Sequence, residues 1–486
     1  MSEAELLQPG SNRLGFLFKD TFLYGAANAC ARATSLVSFP ILSRVLVRAD
    51  YALADMFAVL ISMLLVVVAF GQAAAVARFF YDSQELDHRR AVVSESLLLQ
   101  LGVSLAAVAL GALLAPLWAE LLFGKRELGF LLAVALAQLP FTLSFRFAVN
   151  LLKWTFRARA YVVLTLGFAV CNVLGVVVLV FWLRLGLAGV VYGTVISSVL
   201  FGSLGLWLCR AWIGWPRSWR LAGPMLRYGW PHWVAGLLVA VLPVVDRWTL
   251  GVLLDLGAVA VFAVGAKVAG LLQIPIWAFD SAWAPFALVL HQDPEADALY
   301  AGALRVYGWG LGAITLGLCV FSEALIRVLA GSGYVAAAPL VTPLVLGLAV
   351  QSIGWISSLG IELTKRTTFV LWSHLLALVT TGVGLAVLVP RVGIMGAALA
   401  AAAGMGVECA ARTVFAYRVH PLRFALRTPL YCLLVTYLVA AAAEWATVGL
   451  VGRGALVLGY LGLGWYACGV GKVVAEIRAR RARSAT

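Results

Sequence analysis

Apolar segments of about 20 residues recur along nearly the whole chain, from Leu14 to Val474. Each is long enough to cross a hydrocarbon core of ~30 Å. Lipid offers the backbone no hydrogen-bond partner, so a chain crosses it either as helices or as a closed β-barrel. The alternating ten-residue pattern of a barrel is absent here. Charged residues make up 12% of the chain, about half the roughly 25% of a soluble domain, and mean hydropathy is +0.98. The chain is therefore read as an all-α polytopic membrane protein, not a soluble enzyme.

Fourteen spans are expected, at about 14–43, 51–77, 92–118, 129–152, 160–183, 187–208, 225–251, 258–288, 303–323, 338–363, 368–389, 394–416, 428–448 and 454–475. The longest loops and tails run to about 15 residues, too short for a catalytic domain outside the membrane. The polar stretch 1–13 precedes a long first helix without a small-residue cleavage site, which reads as an uncleaved first span. Seven scattered cysteines lack metal-ligand spacing and read as packing residues. No P-loop, nucleophile elbow or zinc motif occurs, and neither metal nor cofactor is expected.

Basic loop residues sort into two sets. Twenty-two lie on one side, among them Arg89, Arg90, Arg210, Arg217, Arg220, Lys365 and Arg366, against eight on the other, including Arg44, Arg48, Lys125, Arg126, Arg184 and Arg391. The positive-inside rule puts the larger set, and both termini, in the cytoplasm of a multi-pass inner-membrane protein. The net charge of +14 then reports orientation and calls for no nucleic-acid partner. In residues 209–222 three tryptophans (Trp212, Trp215, Trp219) interleave with arginines, a composition suited to the headgroup region, and this segment is expected to lie on the cytoplasmic face.

An internal repeat sets the domain plan. Asp50 and Phe57-Ala58 return as Asp255 and Phe262-Ala263, and Arg184-Leu-Gly-Leu-Ala-Gly189 returns as Arg391-Val-Gly-Ile-Met-Gly396. Six spans per repeat, an even number, give both halves the same direction and imply a two-fold relation about the membrane normal. The expected division is an N-lobe over 1–222, a C-lobe over 223–420, and two extra helices with a basic tail over 421–486. Gly308 and Gly312 are read as packing the lobe, not as a dimer contact.

Several stretches resemble polysaccharide flippases of the multidrug/oligosaccharidyl-lipid/polysaccharide exporter superfamily. They are Pro40–Ala52 (PILSRVLVRADYA), Ala77-Arg-Phe-Phe-Tyr-Asp82, Gly229-Trp230-Pro231, Asp246-Arg247-Trp-Thr-Leu250 and the Arg391–Gly396 turn. The resemblance runs from about residue 14 to 420. Ala52 departs from it, since the family usually has glycine after the Asp-Tyr pair. The resemblance implies translocation of an undecaprenyl-pyrophosphate-linked oligosaccharide, with membrane lipids around the protein and a polysaccharide polymerase and chain-length machinery as partners.

Ionisable residues inside spans are functional candidates by default, because a mid-membrane Arg or Lys costs about 2.5–3.5 kcal/mol even on translocon scales. Arg32, Arg146 and Lys267 have no acid within a helical turn and are expected to face the cavity and hold the pyrophosphate, with Arg78 as a further substrate contact. Asn150, one turn from Arg146, is expected to share its face. Arg412 follows Glu408 by four residues and reads as an intrahelical ion pair. Asp246, Asp280 and Glu408 are the candidates for ion coupling. Asp246 and Arg247, adjacent on one helix, are expected to find separate partners. Prolines 231, 243, 275 and 285 are expected to permit bending. Two other transport readings remain open: a lipid-linked peptidoglycan precursor flippase and a multidrug cation exporter of the same superfamily. A membrane glycosyltransferase would need acidic or histidine residues in a sizeable loop, which this chain lacks.

Overall fold

The computed structural model describes residues 25, 27, 30–31, 34, 37–83, 85–216, 218–290, 296–364, 366, 368–420, 426–445, 449–467 and 471. Among these, every regular element is a helix. Eleven helices or helix pairs are long and apolar enough to cross a membrane, and Arg427–Ala443 is a shorter apolar helix. Of the fourteen expected spans, 14–43 lies largely outside the described residues, and the last corresponds to an 18-residue helix at Leu450–Ala467. The chain forms two compact units, Met1–Leu237 and Leu238–Thr486. The boundary falls inside one helix, and residues 421–486 belong to the second unit.

The first unit begins with α1 (37–45) and α2 (Arg48–Ala69), followed by α3 (Gln72–Phe80), α4 (Leu86–Leu113) and α5 (Ala115–Phe123). Then come α6 (Gly129–Ala137), α7 (Leu139–Trp154), α8 (Ala158–Val177) and α9 (Gly186–Cys209), and the unit closes with the start of α10 (Ala222–Leu253). Between α2 and α3 the span breaks at Phe70 (φ 46°) and Gly71 (φ 65°), two successive left-handed residues. No proline marks this break. It withdraws the amide that would have bonded the Val67 carbonyl, and the Trp233 indole N–H of α10 donates to that carbonyl instead at 3.2 Å. The Phe70 ring stacks on Trp233 at 4.5 Å. Gly71 lies against the backbone of Gly229, leaving no room for a Cβ.

The 209–222 segment is tied to α4. Arg90 Nε donates to the Ala211 carbonyl at 3.1 Å, the Gly214 N–H donates to Ser94 Oγ at 2.9 Å, and Glu95 accepts from Leu221 and Ala222. Trp212 is buried, whereas Trp215 (85% exposed) and Trp219 (51%) project outward. One tryptophan anchors the segment and two remain for the surrounding medium.

The second unit holds the rest of α10, then α11 (Leu256–Ala269), α12 (Gln273–Leu290), α13 (Ala296–Val320), α14 (Ser322–Leu329), α15 (Ala338–Ser357), α16 (Leu359–Leu363), α17 (Thr368–Val392), α18 (Ile394–Val419), α19 (Arg427–Trp445) and α20 (Leu450–Ala467). Asp255 caps α11 by accepting from the Ala258 N–H at 2.7 Å. The expected span 258–288 divides at a 3₁₀ turn, Gly270–Leu272. Pro275 lacks the N–H that would have bonded Leu271, which accounts for the break there. Pro231 and Pro243, by contrast, lie in an uninterrupted α10.

Lipid supplies no hydrophobic drive between helices, so close packing falls to small residues. Gly384 of α17 meets Ala400 of α18, and Gly404 meets the Ala377 carbonyl. Gly308 of α13 packs on Pro429 of α19, and Gly312 against Tyr460 of α20 and Thr436 of α19. These two glycines thus dock the last two helices within the unit.

The repeat is visible inside each unit. Gly186 (φ 56°) and Gly393 (φ 62°), 207 positions apart, are both left-handed where α9 and α18 begin. Gly189 admits the backbone of Leu179, in the π-helical turn Val178–Trp182 that follows α8, and Gly396 that of Leu388 in α17.

Candidate functional site

A cavity of about 320 Å³ lies in the first unit. Four faces build it, each with helical spacing. Ala54, Phe57, Ala58, Ile61, Ser62 and Leu65 come from α2, and Gln138, Thr142, Phe145 and Arg146 run from the end of α6 into α7. Phe168 and Asn172 come from α8, and Val190, Val191, Thr194 and Ser198 from α9. Phe145 and Phe168 stack at 4.3 Å. Thr142 Oγ1 donates to Ser198 Oγ at 3.0 Å, Thr194 Oγ1 donates to the Val191 carbonyl at 2.8 Å, and Gln138 Nε2 donates to the Ala135 carbonyl at 2.8 Å.

Arg146 and Asn172 are different. Both line the cavity, and neither makes a hydrogen bond or ion pair with another described residue. No aspartate or glutamate is among the described lining residues. The cavity therefore offers one guanidinium, an open amide, several hydroxyls and two aromatic faces. That inventory suits an anionic, hydroxyl-rich ligand, since the exposed guanidinium of Arg146 offers a planar fork of donors to an anion. A larger depression of about 720 Å³ beside Asp50 and Arg184 brings opposite charges together at the ends of helices and lacks this asymmetry.

The second unit carries a polar cluster between α15, α17 and α18. Glu408 is buried and accepts from Gln351 Nε2 at 2.7 Å and from the Trp355 indole at 3.4 Å. Arg412 Nε lies 2.9 Å from the same carboxylate, an ionic contact and not an aligned hydrogen bond. His374 Nδ1 is 3.5 Å from Glu408 Oε1, and His374 Nε2 is 3.0 Å from the Arg412 guanidinium.

The residues singled out from the sequence fall in different places. Arg146 lines the cavity; its amide neighbour there is Asn172 of α8, and Asn150 is not among the lining residues. Arg78 is exposed at the end of α3 and pairs with Asp82 at 2.8 Å. Lys267 is exposed in the last turn of α11. Arg32 lies outside the described residues. Glu408 and Arg412 form the expected intrahelical pair. Asp280 is exposed on α12, and Asp246 is buried. Arg247 does not leave Asp246 altogether: its guanidinium lies over the Phe262 ring at 5.2 Å while Nη1 remains 3.9 Å from Asp246 Oδ2. Sequence reading missed Asn172, Gln351 and His374. The available sign was a polar side chain in an otherwise apolar span, and for Thr142/Arg146 and Thr194/Ser198 a polar pair four residues apart.

Helices long and apolar enough to cross a membrane, with a polar cavity inside the first unit, define a polytopic membrane protein. The fold is shared with lipid II flippase MurJ in its inward closed conformation, at a TM-score of 0.73 and 13% identity, covering 91% of this chain and 98% of that one. It is shared with an inward-facing MATE family multidrug resistance transporter of the MOP superfamily (TM-score 0.67, 15% identity, 81% and 95% coverage). A single-residue mutant of the Vibrio cholerae MATE transporter VcmN is more distant (TM-score 0.55, 17% identity, 83% and 96%). Among curated protein sequences none gives a significant match. Residues 17–287 match the polysaccharide biosynthesis protein family, and the chain belongs to that family.

Proposed function

We propose that the protein is a flippase for an undecaprenyl-pyrophosphate-linked oligosaccharide, moving it across the inner membrane by alternating access, with both termini cytoplasmic. The carrying observation is Arg146, a cation presented to a cavity of hydroxyls, an amide and aromatic faces without a protein counter-charge among the described residues. Family membership supports a role in polysaccharide biosynthesis, and the fold supports a flippase or exporter. Arg146 holds the anionic part of the substrate. Arg32, Arg78 and Lys267 are further contacts along its path, and a polymerase with its chain-length machinery receives the product. The exporter of organic cations is disfavoured, because that cargo calls for carboxylates where this cavity presents a guanidinium.

The test is translocation of a lipid-linked oligosaccharide in proteoliposomes, normalised to inserted protein. Arg146→Ala removes a charge-assisted contact worth about 1.5–3 kcal/mol, so transport should fall roughly 10- to 100-fold. Arg146→Lys keeps the charge but loses the planar fork and should retain part of the rate. Undiminished transport in Arg146→Ala overturns the assignment. Equal transport of a lipid-linked peptidoglycan precursor would redirect the reading to that substrate.

A further inference from the structure

We propose that Nε2 of His374 is a proton-binding site, and that a proton bound there expels the guanidinium of Arg412. The contact between Arg412 Nη2 and His374 Nε2 is 3.0 Å. A guanidinium is a donor only and stays charged inside proteins. Nε2 must therefore present its lone pair, which makes this imidazole neutral and puts its proton on Nδ1. Nδ1 lies 3.5 Å from Glu408 Oε1 without forming an aligned hydrogen bond.

Glu408 is the fixed anion of the cluster. Its side chain is 2% exposed, and Gln351, Trp355, Arg412 and His374 all turn donor atoms towards it. Among the described contacts of this cluster, one carboxylate faces one guanidinium, and the imidazole adds no charge. A proton on Nε2 changes this balance in two ways. It turns the acceptor of the 3.0 Å contact into a second donor, and it leaves two cations beside one carboxylate. The His374 and Arg412 side chains are only 12% and 11% exposed, so water and salt screen the repulsion weakly. Arginine cannot relieve it by giving up its own proton, so the guanidinium must move.

Asp280 on α12 is exposed. From α15 come Gln351 and Trp355, which do not titrate. Tyr307 of α13 donates its hydroxyl to Ser352 at 2.8 Å, and Lys267 of α11 is exposed. Cys409 of α18 packs against Gly354, and the Glu362 side chain of α16 lies outside the described residues. Proton binding thus breaks the contact between Arg412 of α18 and His374 of α17. This is the chemistry of an ion-coupling site, with the proton as ligand. It holds whether or not the transported lipid is the one proposed above.

The experiment is nitrogen NMR of full-length protein in lipid nanodiscs, with ¹⁵N-labelled histidine and arginine. The chain has five histidines, and His374→Gln assigns the signal by its loss. Across a pH series the His374 ring should start neutral with its proton on Nδ1 and gain its second proton at Nε2 on acidification. The Arg412 side-chain signals should change over the same pH interval. At a given pH the imidazolium share should grow in Arg412→Leu, where the competitor is gone, and shrink in Glu408→Gln. A neutral ring protonated on Nε2, or a ring unchanged over that range, overturns the proposal. So does titration that ignores Arg412→Leu. If Arg412→Leu does not insert stably, the tautomer and the coupled arginine signals of the unaltered protein decide the matter.

Discussion

Glu95 of α4 accepts a 2.9 Å hydrogen bond from the backbone N–H of Leu221, 126 positions away, and a second of 2.8 Å from Ala222. These amides open α10, and no residue of that helix precedes them to bond their hydrogens. A buried carboxylate from another helix therefore caps α10 and also ends the tryptophan-rich segment. Removing it leaves two part-buried donors without their protein acceptor, each costing up to about 1–3 kcal/mol. Glu95→Ala should lower the unfolding temperature in detergent and raise hydrogen exchange over 213–224, with Glu95→Gln intermediate. Unchanged exchange there would show that Arg90 and Ser94 hold the segment unaided.

The break in the second span makes a sharper demand. Gly71 has φ 65°, and a Cβ there would strike the Gly229 backbone. Gly71→Ala adds both strain and overlap, and overpacking alone costs about 1–3 kcal/mol. Gly102, on α4, has nothing within 4 Å of its missing Cβ. Gly102→Ala should be neutral or stabilise by up to about 1 kcal/mol. Thermal melts of the two variants should move in opposite directions.

How much of this was legible depends on the range of the interaction. Span positions follow from apolar length, a local property, and the 3₁₀ break at Gly270–Leu272 follows from Pro275. The Glu408–Arg412 pair follows from a four-residue spacing. The Phe70–Gly71 break was illegible, because Phe70 is left-handed only in the company of Trp233 and Gly229, which lie more than 150 positions away. The same holds for the cavity. Arg146 could be chosen on its cost in lipid, but Asn172 and Ser198 enter through helix packing that no spacing encodes. His374 acquires its partners only where α17 meets α18.

The repeated glycines give a graded test of the packing they share. A Cβ on Gly189 would meet the Leu179 backbone at 3.0 Å, whereas one on Gly396 would meet Leu388 at 2.5 Å. Backbone cannot give way as a side chain does. Alanine at 396 should destabilise by about 1–3 kcal/mol, and alanine at 189 by less. Equal effects would mean that the second unit relaxes as easily as the first.

Orientation rests on the distribution of Lys and Arg and on the outward tryptophans of the 209–222 segment. Reporter fusions after Trp215 and after Arg366 should both report cytoplasm, and one after Gly124 periplasm. The reverse pattern would invert the protein. A mixed pattern would mean that the spans between those points are miscounted.

The cavity yields the most demanding prediction, because it concerns two residues acting on one ligand. Arg146 on α7 and Asn172 on α8 both line it, and neither is engaged by another described residue. If they bind the same substrate group, each single replacement already spoils the geometry that the other needs. Asn172→Ala removes a neutral hydrogen bond worth about 0.5–1.5 kcal/mol, against about 1.5–3 for the charge-assisted contact of Arg146. Asn172→Ala should therefore slow translocation up to roughly 10-fold, less than Arg146→Ala. The double variant should be distinctly faster than the product of the two defects, with a coupling energy of about 0.5 kcal/mol or more. The measurement is initial translocation rate in proteoliposomes at subsaturating substrate, for all four proteins at equal inserted amount. Strict additivity would place the two side chains on different parts of the substrate. In that case Thr142 and Ser198, whose hydroxyls bond each other at 3.0 Å across α7 and α9, become the next pair to test against Arg146.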